Sequence, residues 1–187
     1  MILVFDCEII KMIPAKKGRE QGFEYCQGWQ DFKGMGISVI AVCDLDSLFE
    51  EVFVFPEVSE IKQLIPVAEF WGFNSKNFDD RLCQAHGLPI SSKFDLLEEI
   101  RLSAYGSADW RDQPAGFSYS LEAIARANGL AKSGSGELAP KLWQQGSVKE
   151  VVDYCLQDAR ITRQLILKFL DEQLRDPNTG AFLLPKK

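Results

Sequence analysis

Residues Met1 to Glu8 read as a short apolar strand carrying two carboxylates, Asp6 and Glu8, and this pair constrains the fold more than any other feature of the chain. Strand side chains alternate faces, so residues i and i+2 point the same way, about 7 Å apart. The neighbours Leu3, Val4, Phe5, Cys7 and Ile9 are all apolar. A buried strand rarely holds two carboxylates on one face without a counter-charge. No Lys or Arg occupies a matching position in this strand. A metal ion is the economical partner, and oxygen ligands of this kind suit Mg²⁺ or Mn²⁺. The plainer alternative is a strand end fraying into solvent, with Asp6 as a turn residue.

The chain has 187 residues, with 46% hydrophobic and 26% charged, which implies one globular domain over 1–187 and excludes disordered and fibrous classes. No apolar run approaches the ~18 residues of a membrane span, so no membrane partner is expected. The start MILVFDCEII lacks the basic region of a signal peptide, and a cytoplasmic location is expected. Cys7, Cys26, Cys43, Cys83 and Cys155 are an odd set without a CxxC pair, read as free, buried thiols. With one histidine, a zinc site is not expected. The net charge of −6 argues against a protein that simply coats DNA, but not against an enzyme that meets nucleic acid through metal ions.

Strands are expected at Gly36 to Asp44 and Glu51 to Phe55, antiparallel across the turn DLDS, and at Glu69 to Asn74. Helices are expected at Ser59 to Ala68, from an N-cap at Asn77 to a stop at Gly87, and at Leu121 to Asn128 between Ser120 and Gly129. Phe94 to Ala104 reads as a helix or a strand-to-helix unit, Gly106 to Gly116 as a loop, and Ala131 to Gly136 as a flexible loop with one lysine. A long helix opens with a capping box, Ser147 and Glu150, and runs to about Leu174, where DPNTG ends it. The class is therefore α/β, with an antiparallel part at the start.

Two further acidic signals lie downstream. In GFNSKNFDDRL, Asn74 ends a strand and Asp79 falls in the first turn of the next helix, where the dipole keeps a carboxylate charged. Asp79 and Asp80 could also simply decorate a helix start. In YCLQD, Tyr154 and Asp158 are i and i+4, on one helix face one turn apart. The phenol could orient water that a metal has acidified; the alternative is an exposed Asp beside a packed Tyr.

In order and spacing these three segments resemble the motifs of the DEDD superfamily of 3′–5′ exonucleases, over roughly residues 2–170. Tyr154 is similar to the tyrosine of the DEDDy subgroup. The form of GFNSKNFDDRL resembles the exonuclease domains of B-family DNA polymerases and their stand-alone relatives, and KFDLLEEI and YSLEAIARANGL also look like family stretches. The resemblance implies an RNase H-like fold, with a mixed five-stranded sheet flanked by helices. It implies two divalent ions, Mg²⁺ or Mn²⁺, held by Asp6, Glu8, Asp79 and Asp158, with Tyr154 positioning the attacking water. It implies hydrolysis of terminal phosphodiesters to nucleoside 5′-monophosphates, on single-stranded or frayed DNA ends with RNA possible, and a possible DNA polymerase or repair partner. Asn74 and Phe78 become candidate substrate contacts. Two departures stand out. Ile9 replaces the Thr or Ser common after the first motif, and the long loop from Lys11 to Met35 has no counterpart in the motif set.

Lys11, Lys16, Lys17 and Arg19 follow Glu8 closely and read either as a phosphate-contacting arm or as a solvated loop face. Trp29, Trp110 and Phe117 read as packing residues or as rings for base stacking. His86, the lone histidine, excludes the DEDDh subgroup, since it is not on the Asp158 helix. Two other functions remain open: a catalytically silent end-binding or partner-binding module, and an RNase H-like endonuclease.

Overall fold

The structure is a computed structural model, and it describes residues 1–15, 18–132 and 138–185. β1 (Ile2–Ile9) is the middle strand of a five-stranded sheet of order β3-β2-β1-β4-β5. β2 (Ile37–Asp44) and β3 (Glu50–Val54) join it antiparallel, while β4 (Glu69–Gly72) and β5 (Phe94–Asp95) extend the other side in parallel. Side chains alternate along β1. Leu3, Phe5, Cys7 and Ile9 enter one core cluster, with Phe32 and Met35 of α1 (Phe32–Met35) and Leu82 and Cys83 of α2 (Asp79–Ala85). Val4 enters the opposite cluster, under α3 (Leu96–Tyr105), α4 (Leu121–Ala127), α5 (Ala139–Gln144) and α6 (Val148–Leu170). Asp6 and Glu8 share the face of Val4, so both carboxylates look toward α6. Glu8 pairs with Val39 and Ile9 with Ile37, so Ser38 is bulged beside the acid pair.

α6 forms because Val151, Cys155, Ala159, Thr162, Ile166 and Phe169 recur every three or four residues and are all buried. α4 sits where its end signals put it, with Ser120 accepting from the Ala123 N–H at 3.2 Å and Gly129 at φ 75°. Phe94 onward is a strand-to-helix unit. All five cysteines are free and buried.

Several boundaries differ from the expectations. α2 starts at Asp79, and Asn77 is not its cap; the Asn77 side chain bonds back to Asn74 Oδ1 at 3.4 Å. The strand expected to Asn74 stops at Gly72, because Asn74 turns to φ 57° and its N–H goes to Asp95. Ser59 to Ala68 is not α-helical; a 3₁₀ helix spans Glu57–Gln63, where only Ile61 is buried and no apolar stripe holds a longer helix. Ser147 caps α6 by position, but its side chain makes no capping bond, so the box with Glu150 does not close. α6 ends at Leu170, and DPNTG instead forms the turn of a hairpin between β6 (Leu174–Arg175) and β7 (Phe182–Leu183). Asp176 Oδ1 makes that turn by accepting from the Asn178 N–H at 2.8 Å. A short 3₁₀ helix at Trp110–Asp112 interrupts the loop after α3. Among the described residues no helix is long and apolar enough to cross a membrane.

Candidate metal centre and active site

β1 and α6 bring three carboxylates together. One oxygen each of Asp6, Glu8 and Asp158 lies within 4.8 Å of the other two. α6 is seated on β1 by Cys155, whose thiol donates to the Asp6 carbonyl oxygen at 3.3 Å, and Asp158 follows one turn later on the same face. Asp6 Oδ2 and Asp158 Oδ1 are shielded from solvent and have no hydrogen-bond partner among the described residues. A buried carboxylate oxygen without a donor is costly. Burial raises the Asp6 carboxyl well above its usual range, and the charges of Asp158 and Asp79 add to that. Glu8 is raised likewise, by burial first and then by Asp6 and Asp158. Crowded oxygen donors that repel one another, two of them without a partner among the described residues, fit hard divalent cations.

Asp79 stands outside that group of three and has a different partner. The β1–β4 ladder ends at Val4 and Trp71, so the edge of β1 beyond it has no strand to bond. Asp79 Oδ1 fills the gap by accepting from the Cys7 N–H at 3.1 Å, between Asp6 and Glu8. Burial raises its carboxyl as well. Its neighbour Asp80 faces elsewhere, accepting from the Ser92 N–H and hydroxyl, each at 2.8 Å.

The turn that carries Asp79 is held from below. Asp95 accepts from the Asn74 N–H at 2.8 Å, the Lys76 N–H at 3.1 Å and the Leu97 N–H at 3.0 Å. Asn74 can hold φ 57° because Asn tolerates the left-handed region better than most residues. Asp95 is thus a positioning residue that sequence reasoning missed. Its signal was present as an Asp immediately before the apolar start of a helix.

Tyr154 lies one turn before Asp158. Burial holds its phenol far above the ordinary value, and Asp158, Glu8 and Asp6 push it the same way. Lys132, also missed, completes the cluster. Its ammonium donates to Tyr154 Oη at 2.8 Å and to the Asp158 carboxylate, with the side chain only 8% exposed. It also lies over the Tyr154 ring, 4.7 Å from the centroid. Burial still holds the Asp158 carboxyl above its ordinary range, although Lys132 pulls it down. The only sequence signal for this role was a lone lysine in a glycine- and serine-rich loop.

The other candidates lie outside this cluster. Phe78 is half-buried directly before Asp79, its ring edge-on to Phe32 and Trp29. Lys11 is paired with Glu24 at 2.9 Å, and Arg19 lies over the Tyr25 ring. Lys16 and Lys17 fall outside the described residues. Gln144 of α5 ties the long loop down, donating to the Ile10 and Glu24 carbonyls and accepting from the Glu24 N–H. His86 serves structure, its Nε2 set 3.1 Å from the Phe32 carbonyl oxygen. Phe117 packs against Tyr119, whereas Trp110 is 68% exposed.

No protein-family model and no curated protein sequence matches this chain. In structure it is similar to the family B DNA polymerase from the hyperthermophilic archaeon Pyrobaculum calidifontis, with a TM-score of 0.60 and 18% identity. That match covers 96% of this chain but only 26% of the polymerase chain, so the chain spans about a quarter of that protein's length. It also matches a structure described as an ExoI/SSB-Ct complex, with a TM-score of 0.39, 16% identity, and coverage of 89% of this chain and 43% of that one. The polymerase likeness and the sheet order β3-β2-β1-β4-β5 with helices on both faces make this an RNase H-like α/β fold.

Proposed function

We propose that this chain is a metal-dependent 3′–5′ exonuclease of the DEDDy kind. It hydrolyses the terminal phosphodiester of single-stranded or frayed DNA ends and releases nucleoside 5′-monophosphates. The observation that carries this reading is the cluster of Asp6, Glu8 and Asp158, with two buried oxygens lacking partners among the described residues and the Tyr154 phenol one helix turn away. Asp6, Glu8 and Asp158, with Asp79 at their margin, would hold two divalent ions, Mg²⁺ or Mn²⁺. Such ions, when bound, offset charge on the phosphate and acidify water.

The protein's own groups account for the rest. Tyr154 Oη accepts from Lys132, so its own proton is the group's donor, and it faces the Asp158 side of the site. Burial, reinforced by the surrounding carboxylates, keeps that proton on the phenol, so Tyr154 orients water by hydrogen bonding rather than acting as a base. Asp95 holds the turn of Asn74 and so fixes Asp79 against β1. Asn74 and Phe78 would touch the terminal nucleotide, while Arg19, Lys16 and Lys17 would meet phosphates. Lys11 could join them only by leaving Glu24. DNA is favoured over RNA by the form of the Asn74–Asp79 motif and by the DNA polymerase among similar structures. The same likeness supports a DNA polymerase or repair protein as partner.

One observation favours a second reading. The Lys132 ammonium sits among the acids where a cation would be, as a silent end-binding module would allow. A 5′-labelled single strand incubated with Mn²⁺ separates the possibilities. A ladder of shortened products supports the exonuclease, internal cuts indicate an endonuclease, and an intact strand indicates a binder.

A further inference from the structure

The loop from Lys11 to Met35 has no counterpart in the acidic motifs, and its outer turn presents the indole of Trp29, 65% exposed. A single exposed aromatic is ordinary. Three observations set this one apart.

First, the turn is fixed on both sides. Asp31 accepts from the Gln27 N–H at 2.7 Å and the Gly34 N–H at 3.0 Å, and the Asp31 N–H donates to the Gly28 carbonyl at 3.0 Å. Arg81, on the helix that Asp79 begins, donates to Gln30 Oε1 at 2.8 Å. The indole is therefore exposed on a braced support, not on a frayed loop. Second, it stands edge-on to Phe78, with centroids 6.4 Å apart. Phe78 directly precedes Asp79, whose carboxylate touches β1 between Asp6 and Glu8. The indole is thus one ring away from the residue that precedes Asp79. Third, the Arg81 guanidinium covers the Phe32 ring at 4.4 Å, and Phe32 is itself edge-on to Phe78 at 5.9 Å. Phe32 is buried, so the exposed ring is the indole alone, with the guanidinium held at the adjacent Gln30; an exposed aromatic with a nearby guanidinium suits a single strand held without sequence reading.

We propose that Trp29 is a base-stacking residue, taking a nucleobase of the bound single strand on a platform it forms with Phe78, the residue before Asp79. The proposal rests on the exonuclease reading for its substrate class and adds a contact that the acidic motifs do not contain. An end frayed from a duplex loses its stacking partner, and the indole replaces that partner for whichever base arrives.

The test uses the full chain in EDTA, so that binding is read without cleavage. Wild type, W29A and W29F are titrated with a short 5′-labelled single strand and with a strand of the same length made abasic throughout. W29A should bind the base-bearing strand roughly 5- to 150-fold more weakly, the range of one lost base–aromatic stack. W29F should lose less, and the three proteins should bind the abasic strand alike. Of the four tryptophans, Trp29 should carry the fluorescence quenched by the base-bearing strand, so that quenching should be missing from W29F. If W29A does not melt like wild type, W29F and the quenching decide. W29A binding equal to wild type, equal losses on both strands, or a wild type that binds neither strand would overturn the proposal. Cleavage by wild type with Mn²⁺ is scored separately. Trp29-dependent binding without cleavage sinks the exonuclease reading and keeps the stack; cleavage without Trp29 dependence does the reverse.

Discussion

The ammonium of Lys132 touches both the Asp158 carboxylate and Tyr154 Oη, so one side chain from a loop balances charge in a cluster built by β1 and α6. Both members of the ion pair are buried, at 8% and 7% side-chain exposure. Removing one partner of such a pair leaves an uncompensated charge and costs about 3–5 kcal/mol. Lys132→Met should therefore melt well below wild type in EDTA. Saturating Mn²⁺ should recover most of the difference, because the acids then have another counter-charge. Equal melting in EDTA would remove Lys132 from the charge balance.

Tyr154→Phe should lower kcat by about 10- to 1,000-fold while single-strand binding stays nearly intact. The ring and its cation–π contact with Lys132 remain, while the hydroxyl and the hydrogen bond it accepts from Lys132 are lost. Full turnover by the variant would assign Tyr154 to packing.

Asp6→Asn should abolish cleavage yet stabilise the metal-free protein by about 0.5–2 kcal/mol. It removes one charge from the crowded group, and its amide becomes a donor beside the partnerless oxygen of Asp158. With saturating Mn²⁺ the order should invert, since only wild type gains the full binding free energy. Melting both proteins in EDTA and in Mn²⁺ checks this, and a wild type that is the more stable in EDTA contradicts it.

The same pair has a pH signature. Asp6 and Glu8 are raised from ordinary values of 3.8 and 4.5, so the folded protein keeps protons that the unfolded chain has released. Stability must then fall as pH rises from those values through the raised ones. In EDTA, wild type should match Asp6→Asn near pH 4 and fall progressively below it toward neutral pH. A gap that does not change with pH would show that Asp6 titrates normally.

Asp95→Ala strips three backbone N–H groups of their acceptor and should cost roughly 1–3 kcal/mol. If Asp95 acts by holding the Asp79 turn, kcat should fall more than KM rises. Asp95→Asn should recover part of the loss through its remaining carbonyl oxygen. Loss of stability without any change in kcat would confine Asp95 to the fold.

Local periodicity was enough to read much of this protein. Alternation along β1 put Asp6 and Glu8 on one face, and the 3.6-residue spacing of α6 put Tyr154 and Asp158 on another. Those patterns are set by residues two to four apart, which the chain order alone specifies. What required the tertiary structure are contacts between distant segments. Lys132 meets residues 22 and 26 positions away, and Gln144 binds a loop 120 positions away. Whether Ser147 bonds Glu150's turn, whether DPNTG stops a helix or turns a hairpin, and which distant backbone N–H Asp79 accepts from were settled by packing. In each case an unpaired backbone group or buried charge takes the partner that folding brings nearest, and no local pattern encodes which one that is.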